Sequence, residues 1–176
     1  MSEELKKYIR SIQDFPVKGI LFRDITTLLK EPNGINLTID KLVTFTEGVQ
    51  IDKVVGIESR GFIFGSLLAQ RLGVGFIPVR KPGKLPAETE SQTYQLEYGE
   101  DSMEIHEDAI SQGDKVLIHD DLLATGGTAE AAVKLIEKLS GEVVQISFII
   151  ELTFLNGRNK LKGYDIRSII SYDSED

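Results

Sequence analysis

Val116-Leu117-Ile118-His119-Asp120-Asp121-Leu122-Leu123-Ala124-Thr125-Gly126-Gly127-Thr128 is the stretch whose reading decides the fold. It opens on the apolar residues Val116-Leu117-Ile118, which with Lys115 before them read as a buried strand over 115–118. It closes on 128–139, where Ala129, Ala132, Val133, Ile136 and Leu139 fall on one side of a helix. A strand that feeds a helix through a few small residues is a repeating unit of parallel sheets, because the right-handed crossover lays the helix on one face.

Outward from this unit the pattern repeats. The run 53–57 reads as a strand, and 60–72 as a helix carrying Phe62, Phe64, Leu67, Leu68 and Leu72, stopped by Gly73. Residues 75–79 read as a strand, as do 142–150. Between them, 93–98 and 102–105 alternate around Gly99-Glu100-Asp101 and predict a hairpin. These elements predict an α/β fold with a central, mainly parallel sheet flanked by helices, whose ligands sit beyond the C-terminal ends of the strands. No repeat, low-complexity tract or linker divides the chain, so residues 1–176 are expected to form one domain.

Composition excludes several functions. The chain contains no cysteine and only two histidines, which rules out disulfides and a Cys-based zinc site. Its net charge of -8 would repel a nucleic-acid backbone. Neither a signal sequence at Met1-Ser2-Glu3-Glu4-Leu5 nor an apolar run of bilayer length is visible, so no membrane partner and a cytoplasmic location are expected.

Three chemical devices lie in the opening stretch. The small residues from Ala124 to Thr128, Gly126 and Gly127 among them, let the backbone approach an oxyanion, with N–H groups and a helix dipole favouring negative charge. Thr125 and Thr128 add hydroxyl donors. Asp120 and Asp121 cannot grip a phosphate, but they accept hydrogen bonds from sugar hydroxyls, which suits a ribose 5-phosphate. No Lys or Arg interrupts the segment, and neither the nucleotide P-loop nor the dinucleotide G-x-G-x-x-G fingerprint occurs in it. The compact basic cluster of the chain is Arg80, Lys81 and Lys84, set among Pro82, Gly83 and Pro86 as in a stiffened loop.

The whole segment resembles the motif by which type I phosphoribosyltransferases bind phosphoribosyl pyrophosphate (PRPP): an apolar strand, two acids, small residues, then Thr-Gly-Gly-Thr. Further stretches are similar to the adenine phosphoribosyltransferase family. They are Asp14-Phe15-Pro16 with Gly19-Ile20-Leu21-Phe22-Arg23-Asp24-Ile25, Glu58-Ser59-Arg60-Gly61-Phe62, Arg80 to Pro86, Tyr94-Gln95-Leu96-Glu97-Tyr98-Gly99, and Glu151-Leu152-Thr153. His119 departs from the family, which has an apolar residue there, and a strand-end histidine in a local hydrogen bond accounts for it without a catalytic role.

The resemblance implies the type I fold, with a flexible hood over about 80–105 and an N-terminal base-binding segment over about 12–30. The implied reaction is attack of a purine nitrogen, adenine foremost, on the anomeric carbon of PRPP. It expels pyrophosphate through an oxocarbenium-like state and gives AMP in purine salvage. By the same resemblance Ser59, Arg60, Arg80, Lys81, Lys84, Asp120, Asp121 and the 124–128 turn bind PRPP. Arg60 and Glu97 serve catalysis, Glu97 by handling a base proton. Leu21 and Arg23 read the base edge through their main chain, and Phe22 and Leu152 sandwich the ring. Mg2+ is expected on PRPP with no direct protein ligand, and a homodimer is implied. Two readings compete with it: a phosphoribosyltransferase for another purine such as xanthine, and a regulator that binds PRPP without turnover. A sugar-phosphate-binding Rossmann-type protein is weaker, since the paired acids before Thr-Gly-Gly-Thr do not belong to it.

Overall fold

The computed structural model describes residues 2–95 and 99–174. In chain order the elements are α1 (Ser2–Lys6), β1 (Arg10–Gln13), β2 (Leu21–Asp24), α2 (Thr26–Leu29), α3 (Pro32–Phe45), β3 (Lys53–Ile57), α4 (Gly61–Leu72) and β4 (Gly75–Val79). They continue with β5 (Thr89–Gln95), β6 (Glu100–His106), β7 (Lys115–Leu123), α5 (Gly127–Lys138), β8 (Glu142–Leu152), two short 3-10 turns (Thr153–Leu155 and Gly157–Leu161) and β9 (Ile166–Tyr172).

Five strands form a wholly parallel sheet in the order β4-β3-β7-β8-β9. Period-two alternation divides its residues between two cores. Val55 and Ile118 pack with Ala132, Val133 and Ile136 of α5, while Val54 and Leu117 pack with Ile39 and Leu42 of α3 and Phe64 and Leu68 of α4. Each fully buried side chain of this size contributes about 1.5–3 kcal/mol relative to exposure. Two antiparallel hairpins stand outside the sheet, β1-β2 near the N-terminus and β5-β6. The second is tied back to the core by an Arg80–Glu104 bridge and by the burial of Tyr94, Met103 and Ile105. No helix among the described residues is long and apolar enough to cross a membrane.

Several elements differ from expectation. The strand predicted over 115–118 runs on to Leu123, so Asp120 and Asp121 lie within it rather than beyond its end. Ladder pairing of Asp120 with Phe148, Leu122 with Ile150 and Leu123 with Glu151 continues past the acids, because backbone bonding does not depend on side-chain polarity. The hairpin strands span 89–95 and 100–106, each beginning earlier than the alternation suggests, and positions 96–98 of the expected first strand lie outside the described residues. Much of β5 is polar and pairs through such contacts as Thr93 with Ser102 at 2.9 Å between hydroxyl oxygens. Helix α3, which begins at Pro32 and contains Asn33, Gly34 and Thr38, is poor in helix formers; it is held by burial of Ile39 and Leu42.

Candidate active site

A cleft of about 420 Å³ opens where β3 and β7 end. Glu58, Ser59 and Arg60 line it from the turn into α4, Asp120 to Leu123 from β7, and Ala124, Thr125, Gly126 and Thr128 from the turn into α5. The Glu58–Ser59 peptide is cis. The two walls meet because α4 starts on a glycine: a Cβ on Gly61 would lie 2.9 Å from both Asp120 Oδ1 and the His119 carbonyl. That close approach sets the Arg60 guanidinium against Asp121, with Nε 2.7 Å from Oδ2.

Electrostatics in the cleft follow from burial. Burial pushes the Asp121 carboxyl above its ordinary range against the pull of Arg60. The Asp120 carboxyl is pushed well up, by burial first and then by the Asp121 charge beside it. At the other wall Gly126 takes a left-handed conformation, φ 81°, and no side chain caps α5, so the helix's first N–H groups face the turn. Gly127 alone of the 124–128 run lies outside the cleft lining; it packs beneath Tyr94 of the hairpin.

The basic cluster does not point freely into solvent. Arg80 Nε and Nη2 donate to Glu58 at 3.3 and 3.4 Å, Lys84 Nζ donates at 2.6 Å, and the Lys81 N–H donates at 2.9 Å. Burial acts to raise the Glu58 carboxyl, but the bonds from Lys84, the Lys81 N–H and Arg80 outweigh it and hold the pKa at about 2. The Lys81 ammonium pairs with Asp101 and with the Tyr94 hydroxyl at 3.1 Å. Glu58 thus joins the loop to the cleft wall. The sequence around Glu58-Ser59-Arg60 gives Glu58 no role of its own, since its partners come from a loop 22 to 26 positions further on.

A second, smaller pocket of about 110 Å³ lies at the end of β8, lined by Ile20, Leu21, Arg23, Leu152, Phe154 and Leu155. Three of the four expected base-binding residues meet there. Phe22, between Leu21 and Arg23 on β2, is not in that lining; its ring lies 5.2 Å from the Arg60 guanidinium carbon and edge-on to Phe15. Arg23 is itself held by Ser11 at 2.5 Å and stacks 3.9 Å from the centre of the Tyr172 ring. Because Leu123 of β7 pairs with Glu151 of β8, this pocket and the 124–128 turn lie on the same sheet edge. Glu97 falls outside the described residues. His119 is wholly buried, bonded through Nδ1 to Ser147 Oγ at 2.9 Å, and faces neither cavity.

The phosphoribosyl transferase domain family matches residues 26–170. The adenine phosphoribosyltransferase of Christiangramia forsetii is 59% identical over 169 residues, which are 96% of this chain and 99% of that protein. Among solved structures, the adenine phosphoribosyltransferase of Thermoanaerobacter pseudethanolicus superposes with a TM-score of 0.96 at 57% identity, covering 98% of this chain and all of that one. That of Saccharomyces cerevisiae, complexed with adenine and D-2,5-dideoxy-2,5-imino-altritol 1,6-bisphosphate, superposes at 0.92 with 44% identity, covering 96% of this chain and 97% of that one.

Proposed function

This chain belongs to the phosphoribosyltransferase family, and from that premise we infer that it transfers the 5-phosphoribosyl group of PRPP to adenine, giving AMP and pyrophosphate. The observation that carries the chemistry is the cleft in which two adjacent carboxylates run into an uncapped, glycine-containing helix start.

We assign the turn 124–128 to the 5-phosphate, gripped by backbone N–H groups and the Thr125 and Thr128 hydroxyls. Asp120 and Asp121 take the ribose hydroxyls; donation to either carboxylate stabilises its charged form and relieves the repulsion within the pair. Ser59, Arg60, Arg80, Lys81 and Lys84 take the pyrophosphate. As the glycosidic bond breaks, charge gathers on that leaving group, so cations aimed at it favour the transition state over the bound substrate. Arg60, Arg80, Lys81 and Lys84 rest on Asp121, Glu58 and Asp101, and must exchange these carboxylates for phosphate oxygens when PRPP binds. Leu21, Arg23 and Leu152, in the wall of the small apolar pocket, form the base site together with Phe22 beside it, and Glu97 handles the proton of the attacking nitrogen.

Among the described residues no group of three His, Cys, Asp or Glu side chains stands ready for a metal. We propose that Mg2+ arrives on the phosphates of PRPP, where it would supply charge neutralisation for the pyrophosphate. We further propose a cytoplasmic homodimer. Ile63 and Leu67, one turn apart on α4 and each 38% exposed, offer an apolar face, and sedimentation at twice the monomer mass is the expected result.

Magnesium-dependent pyrophosphate release, assayed with adenine, hypoxanthine, guanine and xanthine in parallel, tests the whole reading. AMP formed selectively from adenine is expected. Preference for another base would overturn the base assignment alone, and PRPP binding without turnover would make the protein a regulator.

A further inference from the structure

We propose that Arg158 is a positioning residue for PRPP: clamped to Glu151, it holds the chain at Gly157 against the 124–126 turn and so sets the backbone that grips the 5-phosphate. The inference rests on the reading of that turn given above.

The clamp is built from both ends. Arg158 Nε and Nη2 donate to Glu151 Oε1 and Oε2 at 2.6 and 2.7 Å, a bidentate pair. The same guanidinium donates to the Ile166 carbonyl and the Ser168 hydroxyl, each at 3.2 Å, so it bridges β8 and β9. Ser168 also donates to Glu151. The Glu151 side chain is 6% exposed against 48% for Arg158, so the carboxylate is fixed within the fold and the arginine is drawn to it. Burial raises the Glu151 carboxyl, but Arg158 and Ser168 outweigh this and keep it below its ordinary range.

What the clamp holds is a direct backbone contact. A Cβ on Gly126 would lie 2.5 Å from the Gly157 carbonyl oxygen, and a Cβ on Gly157 would run into the Ala124 carbonyl and come within 2.9 Å of Leu123 Cδ1. No side chain separates the two segments, so a shift of one moves the other. Arg158 is the residue next to that contact. The segment between the clamped residues also supplies Leu152, Phe154 and Leu155 to the small apolar pocket, so one ion pair braces walls of both substrate sites.

An ion pair that served stability alone would lower the melting temperature on removal and leave substrate affinity unchanged. Positioning predicts otherwise, and the test is calorimetric binding of magnesium PRPP together with steady-state kinetics for wild type, Arg158→Met, Arg158→Lys and Ser168→Ala. Arg158→Met is expected to raise Kd and KM for PRPP about tenfold and KM for adenine by a smaller factor, with kcat at saturation less affected. Arg158→Lys, which keeps the charge but loses the fork, should recover about a third of the loss on a logarithmic scale. Unchanged PRPP affinity in a folded Arg158→Met overturns the proposal. Should that variant not fold, unchanged affinity in both Arg158→Lys and Ser168→Ala overturns it instead. Failure of the wild type to form AMP would sink the functional reading, whereas wild-type turnover with indifferent Arg158 variants sinks only the clamp.

Discussion

Gly126→Ala is expected to cut kcat/KM for PRPP by at least about 100-fold in a protein that still folds. Two effects combine at this position. The residue sits at φ 81°, where a side chain costs roughly 1 kcal/mol. The added methyl would also lie 2.5 Å from the Gly157 carbonyl, a main-chain atom that cannot rotate away. Either the turn or its buttress must then move by a sizeable fraction of an ångström, and the N–H groups at the start of α5 move with the turn. Gly48→Ala supplies the control: it shares the left-handed backbone, φ 77°, but its Cβ would meet nothing within 4 Å. It should lower stability by a similar strain term and leave the kinetics alone. Normal kinetics in Gly126→Ala would mean that the phosphate does not sit at this turn.

The parts of this fold legible in the sequence are those where one-dimensional pattern and three-dimensional burial coincide. Strands β3 and β4 occupy 53–57 and 75–79 as expected, because β3 is buried from Val54 to Ile57 and is apolar there, while the edge strand β4 still buries Ile77 and Val79. Helix α4 begins one residue after the expected start and ends where expected. The pattern gives no sign of α3 or β9, and it ends β7 at Ile118, before His119 and the two acids. In each case long-range partners supply what local composition withholds: Ile39 and Leu42 find the sheet, Ile169 and Ile170 find the α3 side of it, and the acids of β7 keep their ladder with β8.

The site divides in the same way. That Asp120, Asp121, Ala124, Thr125, Gly126 and Thr128 share one cleft is legible, because close backbone approach and paired acids leave a contiguous signature. Glu58, Asp101, Glu151 and Arg158 were not assigned, because each acts on a residue brought near only by the fold. Glu58 meets Lys84 across 26 positions, Lys81 meets Asp101 across 20, and Arg158 meets Ser168 across 10. Nothing in their local sequence separates them from charges on a solvated surface.

His119→Val is expected to remove much of the acid sensitivity of the fold while leaving turnover near neutral pH unchanged. The imidazole is fully buried, bonded to Ser147 through Nδ1, and its Nε2 has no partner among the described residues. Burial lowers its pKa to about 3, well under the roughly 6.5 of an unfolded chain. Between those values the unfolded state binds the proton and the native state does not. Stability therefore falls as pH drops from about 6.5 toward 3, by up to about 1.4 kcal/mol per unit and on the order of 4 kcal/mol in all. Asp120 and Asp121 work in the opposite direction: their raised carboxyls bind protons in the native state first, which adds stability as the pH falls. The wild-type profile is the sum of these, so only its difference from His119→Val isolates the imidazole. Near pH 7.5 valine loses the Ser147 bond but also the unpartnered nitrogen, terms of about 1 kcal/mol each that nearly cancel. Urea titrations at half-unit steps from pH 7.5 to 4 should show the two curves together at the top and separating steadily below 6.5. Curves that stay parallel would mean that the native pocket accepts the proton, by admitting water to Nε2.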